Sequence, residues 1–245
     1  MALRRVLLTL AAIAALAALA GCDSRDSRDS RDSRDSRERD PAVSVARDLL
    51  REIFDRSGTG APDAPPDLRA VFTRDLIDQA ATPLVYVQID SIQARAILWP
   101  VATNGPDETW RGEDALTLTL SREGVLRATR GFIHDLHASD IEGTRRALAT
   151  ARAGRVSRLA IRLGGDLAQI RTSHACDIGF GAPEAITIFG ETRRLTPATE
   201  RCIETATGDA GFENRYWIDA AGLVWVSDQW AGAELGHVHI ERLYR

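Results

Sequence analysis

Histidine and cysteine side chains recur at a spacing of two in two stretches of the chain. His237 and His239 lie two residues apart, and His174 and Cys176 repeat that spacing. Residues two apart share one face of a β-strand, so these four side chains would form a zinc site if the two strands were neighbours. In the alternative, the imidazoles share a strand face without a metal and a disulfide consumes Cys176. Because ligand spacing alone is a loose criterion, we expect no metal and no cofactor.

Other residues that could carry catalysis lack a supporting context. His134 and His137 flank Asp135-Leu136 and could each act as a general base, but a turn or loop role is the interpretation we favour. The sequence has no nucleophile elbow or P-loop, and Gly179-Phe180-Gly181 lacks the third glycine of a dinucleotide fingerprint. Carboxylate pairs are frequent, yet none has a context typical of a glycosidase. We therefore expect no enzymatic activity and no catalytic residue.

Four tryptophans, Trp110, Trp217, Trp225 and Trp230, could stack on sugar rings. Trp217 and Trp225 lie across one predicted hairpin, where an aromatic pair also stabilises a sheet. We expect most of the four to fill the core.

The first apolar stretch of the chain ends at a cysteine, in the sequence Leu19-Ala20-Gly21-Cys22. The stretch follows Arg4 and Arg5 and is shorter than the roughly 20 residues of a membrane span, so it suits the core of an export signal. Small residues before a cysteine are the pattern of a bacterial lipoprotein signal, whose cysteine thiol accepts a diacylglycerol. We predict a signal peptide over 1–21 and lipidation of Cys22. The alternatives are a secretory signal with a chance cysteine and an uncleaved anchor.

Export would place the other two cysteines in an oxidising compartment, where disulfides persist. The chain has three cysteines, so acylation of Cys22 leaves Cys176 and Cys202 as one possible pair. A disulfide between them would close a loop of about 27 residues and stabilise the fold by about 3.5 kcal/mol on the chain-entropy model. The alternatives are two buried thiols, or zinc shared with His174.

A repetitive segment separates the signal from the rest. Residues 23–37 are five copies of Asp-Ser-Arg, followed by Glu38-Arg39-Asp40. Nothing in it can fill a core and its charges nearly cancel, which predicts a disordered linker over 22–40. The remaining residues, 41–245, have a size compatible with one β-rich domain.

The charge of the chain argues against a nucleic-acid partner. The formal net charge is −4, and all 31 basic residues are arginine. Loss of Arg4 and Arg5 with the signal would make the mature protein more acidic, so it has no general attraction for nucleic acid.

Helical patterns are few in the proposed domain. Pro41 begins a stretch with apolar residues at helical spacing that ends near Ser57-Gly58, which predicts an amphipathic helix. A short second helix is predicted over 73–80. Ser139 and Glu142 form a predicted capping box before an inserted helix within 139–151.

Most of the domain is predicted to form short strands joined by tight turns. The predicted strands cover 84–90, 93–101, 115–120, 125–130, 156–163, 167–176, 185–189, 195–205, 215–219, 223–230 and 235–243. Turn residues at Ser121–Gly124, Gly164–Asp166 and Asp219–Gly222 predict hairpins. The fold class is therefore mainly β, an antiparallel barrel-like or sandwich domain with an N-terminal amphipathic helix and one inserted helix.

Three groups of motifs resemble the YjbF family of bacterial lipoproteins. They are Thr129-Arg130-Gly131-Phe132 with Asp135-Leu136, Tyr216-Trp217-Ile218-Asp219 and Val226-Ser227-Asp228-Gln229-Trp230. Trp110, followed by a strand and a glycine turn, fits the same plan. The resemblance extends from the lipoprotein signal to about residue 230 and leaves out the Asp-Ser-Arg repeat. It implies a β-barrel-like domain and a part in exopolysaccharide or capsule production or export, and it implies no catalytic residues.

Together these features predict a lipid-anchored accessory lipoprotein of the cell envelope, with its domain in the periplasm, that binds a partner protein or a glycan. One alternative is a carrier whose half-open barrel shelters a lipid or another apolar ligand. Another is a periplasmic hydrolase or metalloenzyme. Asp23 after Cys22 resembles the inner-membrane retention signal of enteric bacteria, whereas the family resemblance implies the outer membrane, which is our prediction.

Overall fold

The computed structural model describes residues 67–113, 116–163 and 168–244. The features predicted for residues 1–66 lie outside these residues: the signal (1–21), the lipidation site Cys22, the Asp-Ser-Arg linker and the amphipathic helix beginning at Pro41. Within them are three α-helices, α1 (Leu68–Val71), α2 (Arg74–Ala80) and α3 (Glu142–Ala149), and the strands β1 (Leu84–Ile89), β2 (Ala94–Asn104), β3 (Asp107–Arg111), β4 (Thr117–Ser121), β5 (Leu126–Arg130), β6 (Leu136–Asp140), β7 (Gly154–Leu163), β8 (Gln169–Phe180), β9 (Glu184–Ile188), β10 (Glu191–Glu204), β11 (Ala210–Ile218), β12 (Val224–Gly232) and β13 (Gly236–Tyr244).

The strands form a nearly closed antiparallel barrel, so the barrel-like alternative is confirmed over the sandwich. The strand order is β5-β4-β3-β2-β1-β13-β12-β11-β10-β8-β7-β6, and β9 pairs with β10 outside this path. Most neighbours follow each other in sequence. The exception that joins the N-terminal and C-terminal strands is β1 beside β13, with Leu84 near Tyr244 and Gln88 opposite His239.

Between β5 and β6 the described residues form no backbone hydrogen-bond ladder. The barrel is closed there by hydrogen bonds that involve side chains. The Leu136 amide donates to Thr129 Oγ1 at 2.9 Å, and Ser139 Oγ donates to the Arg127 carbonyl at 3.1 Å. Arg130 Nη2 donates to the His137 carbonyl at 2.9 Å. We call this β5–β6 contact the seam.

Alternation along β1 builds a core on each face of the sheet. Val85, Val87 and Ile89 point into the barrel, where they join buried residues from both halves of the strand path. Leu84 and Tyr86 face outward and are covered by α1, α2 and the β9–β10 hairpin. β1 is therefore buried on both faces, which explains its nearly continuous apolar sequence.

The helices begin where their capping residues predict, with one correction. Thr73 Oγ1 accepts the Leu76 amide at the start of α2, as expected for an N-cap. The predicted helix within 139–151 exists as α3, but the predicted capping box is wrong. Ser139 lies in β6 and bonds across the seam, while Asp140 accepts the amide of Glu142 at 3.1 Å.

The hairpins predicted at Ser121–Gly124 and Asp219–Gly222 are confirmed, and β7 pairs with β8 as predicted, although the turn residues 164–166 lie outside the described residues. Two strands were not predicted. β11 and β12 turn at Asp219–Gly222, where Gly222 has φ +79° and a Cβ would lie 2.6 Å from the Cα of Ala149. The missed strands are β3 and β6, each five residues long. No helix among the described residues is long and apolar enough to cross a membrane.

Candidate functional site

A buried ion pair crosses the barrel interior between Arg158 of β7 and Glu200 of β10. Their side chains are 3% and 0% exposed, and Arg158 Nη1 lies 2.9 Å from Glu200 Oε2. The same carboxylate accepts hydrogen bonds from Thr144 of α3 and from Asn214 and Tyr216 of β11. One carboxylate therefore ties together three strands and a helix.

The charges of this network reinforce each other. Burial lowers the pKa of Arg158, but the negative charge of Glu200 and the Tyr216 oxygen outweigh it and the net pKa is raised. Burial, followed by the charge of Glu200, raises the pKa of Tyr216 far above its usual value. Arg158 therefore stays cationic and Tyr216 stays a neutral donor near neutral pH, so both side chains hold the barrel together through fixed hydrogen bonds.

Cys176 and Cys202 form a disulfide beside this network, as predicted. They lie directly opposite each other on β8 and β10, with Cα atoms 4.0 Å apart and both residues buried. Their sulfurs and a Glu200 carboxylate oxygen lie within 4.8 Å of one another. Because the two sulfurs are bonded to each other, they form a covalent cross-link between β8 and β10 in the present structure.

The four residues of the zinc hypothesis do not converge among the described residues. Cys176 is in the disulfide, and the buried His174 ring meets the edge of Phe212 at a centroid distance of 4.9 Å. Burial lowers the pKa of His174. His237 is exposed, and its Nε2 lies 2.7 Å from the Glu213 carbonyl oxygen.

His239, the fourth, lies on the outer face of β13 between two carboxylates. Its Nδ1 is 2.7 Å from Asp228 Oδ1 and its Nε2 is 2.9 Å from Glu241 Oε1. Arg69 of α1 continues the chain with two hydrogen bonds to Glu241, of 3.0 and 2.7 Å, and its guanidinium lies over the Tyr86 ring. Charges of alternating sign thus fasten α1 to the barrel wall.

The protonation of His239 follows from these partners. Burial lowers its pKa, but the hydrogen bonds and charges of Asp228 and Glu241 outweigh burial and raise the pKa to about 9. The hydrogen bond from His239 in turn lowers the pKa of Asp228. At neutral pH the imidazolium donates from both nitrogens, so neither nitrogen is available as a general base.

A cleft opens on the outer face where α2 and the start of β10 meet the end of β13. Its volume is about 660 Å³, within the range of small-ligand sites. It is lined by Arg74, Asp78, Gly190, Glu191, Thr192, Arg193, Trp225, Leu243 and Tyr244. We call it the α2–β10 cleft.

Planar charged groups alternate along the α2–β10 cleft. Arg74 bonds to both Asp78 and Glu191, at 2.7 and 3.2 Å, and Glu191 also pairs with Arg193. The Arg193 guanidinium stacks on the Trp225 ring, 3.5 Å from its centroid. Guanidinium and carboxylate groups present fixed pairs of donors and acceptors, which suit adjacent hydroxyl groups of a sugar.

The tryptophans lie mostly in the core, as predicted. Trp110 is 1% exposed inside the barrel, and Trp225 is 4% exposed under Arg193. Trp217 is half-buried and donates from Nε1 to Glu184 at 2.6 Å. Trp230, also half-buried, stacks on Phe212. A flat, open sugar platform is therefore not formed by these four rings.

The remaining histidine candidates lie near the seam. His134 is in the exposed β5–β6 loop, as predicted, whereas His137 lies in β6 and not in a loop. The cleft charges, Arg158 and Glu200 were not singled out from the sequence. For Glu200 a signal existed, since period-two alternation places it on the same strand face as Ala198 and Cys202.

Comparison with known proteins identifies a family and a solved structure with a similar fold. Residues 47–243 match the family model described as group 4 capsule polysaccharide lipoprotein gfcB, YjbF. Among solved structures, the hypothetical lipoprotein YmcC from Escherichia coli (K12) is similar, with a TM-score of 0.62 and 20% identity. That similarity covers 71% of this chain and 89% of that one, and at this identity it shows the fold alone. No curated protein sequence matches the chain.

Proposed function

We propose, from the premise that this chain belongs to the YjbF family of group 4 capsule polysaccharide lipoproteins, that it binds glycan as a lipid-anchored accessory protein in capsule production or export. Family membership by itself supports a role in capsule polysaccharide production within the cell envelope. The glycan, the acyl anchor on Cys22 and the absence of catalysis are our additions.

The observation that carries the proposal is the α2–β10 cleft. It combines an adequate volume with two arginines and two carboxylates whose charges are already balanced by one another. A ligand entering it would exchange ion-pair partners for hydroxyl groups without leaving a net buried charge, which suits a hydroxyl-rich polymer. Arg193 would be the group that moves, since it lies directly on Trp225.

Two observations support binding over catalysis or carriage. In each of the two polar clusters described above, around Glu200 and around His239, the ionisable groups bond to one another. The Arg158–Glu200 pair is buried inside the barrel, the disulfide links the neighbouring strands β8 and β10, and a cavity beside Val85 and Ile240 has a volume of only about 10 Å³. A buried ion pair on the inner face of the barrel is a poor lining for an apolar lipid chain.

The test uses polysaccharide released from the surface of the organism that carries this chain. Binding is followed by tryptophan fluorescence and by calorimetry, because Trp225 lies in the cleft wall. Arg193→Ala should weaken binding at least tenfold. Arg155→Ala is the matched control, since Arg155 pairs with Asp177 on the surface away from the cleft. Equal weakening by both variants, or no binding by the wild type, would contradict the cleft as a glycan site.

We also place the protein at the outer membrane. The support is the family's association with capsule, and the feature against it is Asp23 directly after the acylated cysteine. Density fractionation of membranes decides between the two. Recovery of the protein with inner-membrane markers would overturn this part of the proposal and leave the glycan site untouched.

A further inference from the structure

The exposed large hydrophobic side chains share one end of the barrel. Within the described residues they are five, between 44% and 96% exposed: Ile92, Ile133, Leu163, Ile170 and Ile203. We call this set the apolar rim. Single exposed aliphatic residues need no explanation, but their concentration at one end does.

Strand register shows that the five positions lie at the same end. Ile92 is in the turn after β1, and β13 begins at this end because Gln88 pairs with His239. Ile203 lies near the end of β10, whose last residue pairs with His174 of β8. The start of β8 and the end of β7 therefore lie there too.

The β5–β6 loop completes the ring. Leu136 at the start of β6 pairs with Arg162, next to Leu163 at the end of β7. Ile133, 96% exposed, protrudes from the loop just before β6. Ile170 lies opposite Arg162 on β8, so Ile133, Leu163 and Ile170 come from neighbouring strands.

The opposite end of the barrel differs. Its turns contain Gly105-Pro106, Arg122–Gly124 and Ala220–Gly222, and among the described residues none of the exposed large hydrophobics lies there. The two ends of the barrel therefore have different affinities for an apolar phase.

We propose that the apolar rim docks onto a lipid bilayer, with its aliphatic tips inserted to the depth of the headgroups. The five aliphatic side chains come from separate turns and strand ends and do not form one continuous patch. A fluid lipid bilayer can surround each of them separately. Arg171 is exposed next to Ile170 and can meet a lipid phosphate. A stable protein interface would instead need one contiguous patch with a packed centre.

The choice of a bilayer as the occupant rests on the lipid anchor proposed above. A chain tethered to the membrane holds its domain near the surface at a high effective concentration, so weak insertion by a few side chains is sufficient. Docking would fix the orientation of the barrel, with the apolar rim toward the lipid and the opposite turns toward the periplasm.

The test is designed to be independent of acylation. The chain from residue 22 onward, with Cys22→Ser and a histidine tag in place of the lipid, is held on phosphatidylethanolamine–phosphatidylglycerol vesicles that contain a nickel-chelating lipid. A nitrobenzoxadiazole probe is attached at Ile133→Cys. The matched control carries it at Ala221→Cys, exposed in a turn at the opposite end. Quenching by a nitroxide-labelled lipid reports insertion.

Quenching at position 133 should be at least threefold stronger than at position 221. Adding Ile170→Ser and Ile203→Ser should reduce it to the control level while the circular dichroism spectrum is unchanged, because both residues are exposed. Equal quenching at the two positions overturns the inference, as does strong quenching that these two substitutions leave intact. A separate failure of Cys22 acylation would affect the anchor alone.

Discussion

Glu200→Gln is the most informative perturbation of the barrel interior. The substitution keeps the volume of the side chain and removes its charge, so no cavity forms. It leaves Arg158 cationic and 3% exposed, and it places an amide donor among the donors of Thr144, Asn214 and Tyr216. Loss of one partner of a buried pair costs about 3–5 kcal/mol, a large part of the usual margin of about 5–15 kcal/mol.

Arg158→Met should cost less, about 3 kcal/mol, because Glu200 then keeps three neutral donors. The cost that remains is the burial of a carboxylate whose cationic partner has been removed.

The assay is urea unfolding followed by tryptophan fluorescence, with the free energy of unfolding extrapolated to water. Glu213→Gln is the control, because this carboxylate pairs with Arg201 and Arg215 at the surface and should be worth less than about 1 kcal/mol. The reasoning is refuted if Glu200→Gln costs no more than this control. It is equally refuted if Arg158→Met is the more damaging of the two interior variants.

Three further predictions concern titration, oxidation and the anchor. The pKa of His239 is raised from 6.5 to about 9, so the stability that its charge contributes is complete below pH 6.5 and is lost as the pH rises through 9. The free energy of unfolding should therefore fall between pH 6 and pH 9.5 by about 2 kcal/mol more in wild type than in His239→Gln, after allowance for partial exposure. An equal fall in the two proteins would contradict the chain of ion pairs around His239. Thiol titration of the denatured, unreduced protein should detect neither Cys176 nor Cys202, and reduction should lower the stability by about 3.5 kcal/mol, whereas two titratable thiols would exclude the disulfide. Cys22→Ser should leave an unprocessed or mislocalised protein, and unchanged processing with unchanged membrane retention would refute the lipoprotein signal.

Local patterns account for the parts of the fold that the sequence predicts. The hairpin between β11 and β12 depends on residues within a few positions of Asp219, whose carboxylate accepts the amides of Ala221 and Leu223. Such contacts are visible in the order of residues, because the turn and both strands are contiguous. The inserted helix was also predicted from local residues, but the side chain that accepts the Glu142 amide is that of Asp140 and not the Ser139 of the predicted capping box.

The two missed strands have too little pattern of their own. β3 and β6 each carry a single large buried apolar residue, Trp110 and Leu136, among polar and small neighbours. Their strand conformation is imposed by partners on the sheet, which overrides local propensity. The same limit applies to the seam, which depends on hydroxyl and guanidinium groups that would also fit a loop.

The candidate site depends on contacts between distant parts of the chain. The α2–β10 cleft depends on the ion pair between Arg74 of α2 and Glu191 of β10. No sequence pattern near either residue predicts this contact. The interior pair could have been predicted more easily from the sequence. Arg158 shares a strand face with the buried Ala160, and Glu200 shares one with the buried Ala198. An arginine or glutamate on an otherwise apolar strand face is therefore a usable signal of a buried pair.

The pairing of β1 with β13 has a consequence for biogenesis. Strands β1 to β5 form a contiguous meander that precedes the other strands in the chain, whereas the partner of β1 comes last, at Gly236–Tyr244. Until then β1 presents a free edge that is apolar on both faces, the kind of edge that recruits other chains. The seam joins residues close in sequence and costs little loop entropy, so we expect the slow step in folding to be the capture of β1 by β13. A chain interrupted before residue 236 would leave this strand edge uncovered and become a substrate for chaperones and proteases.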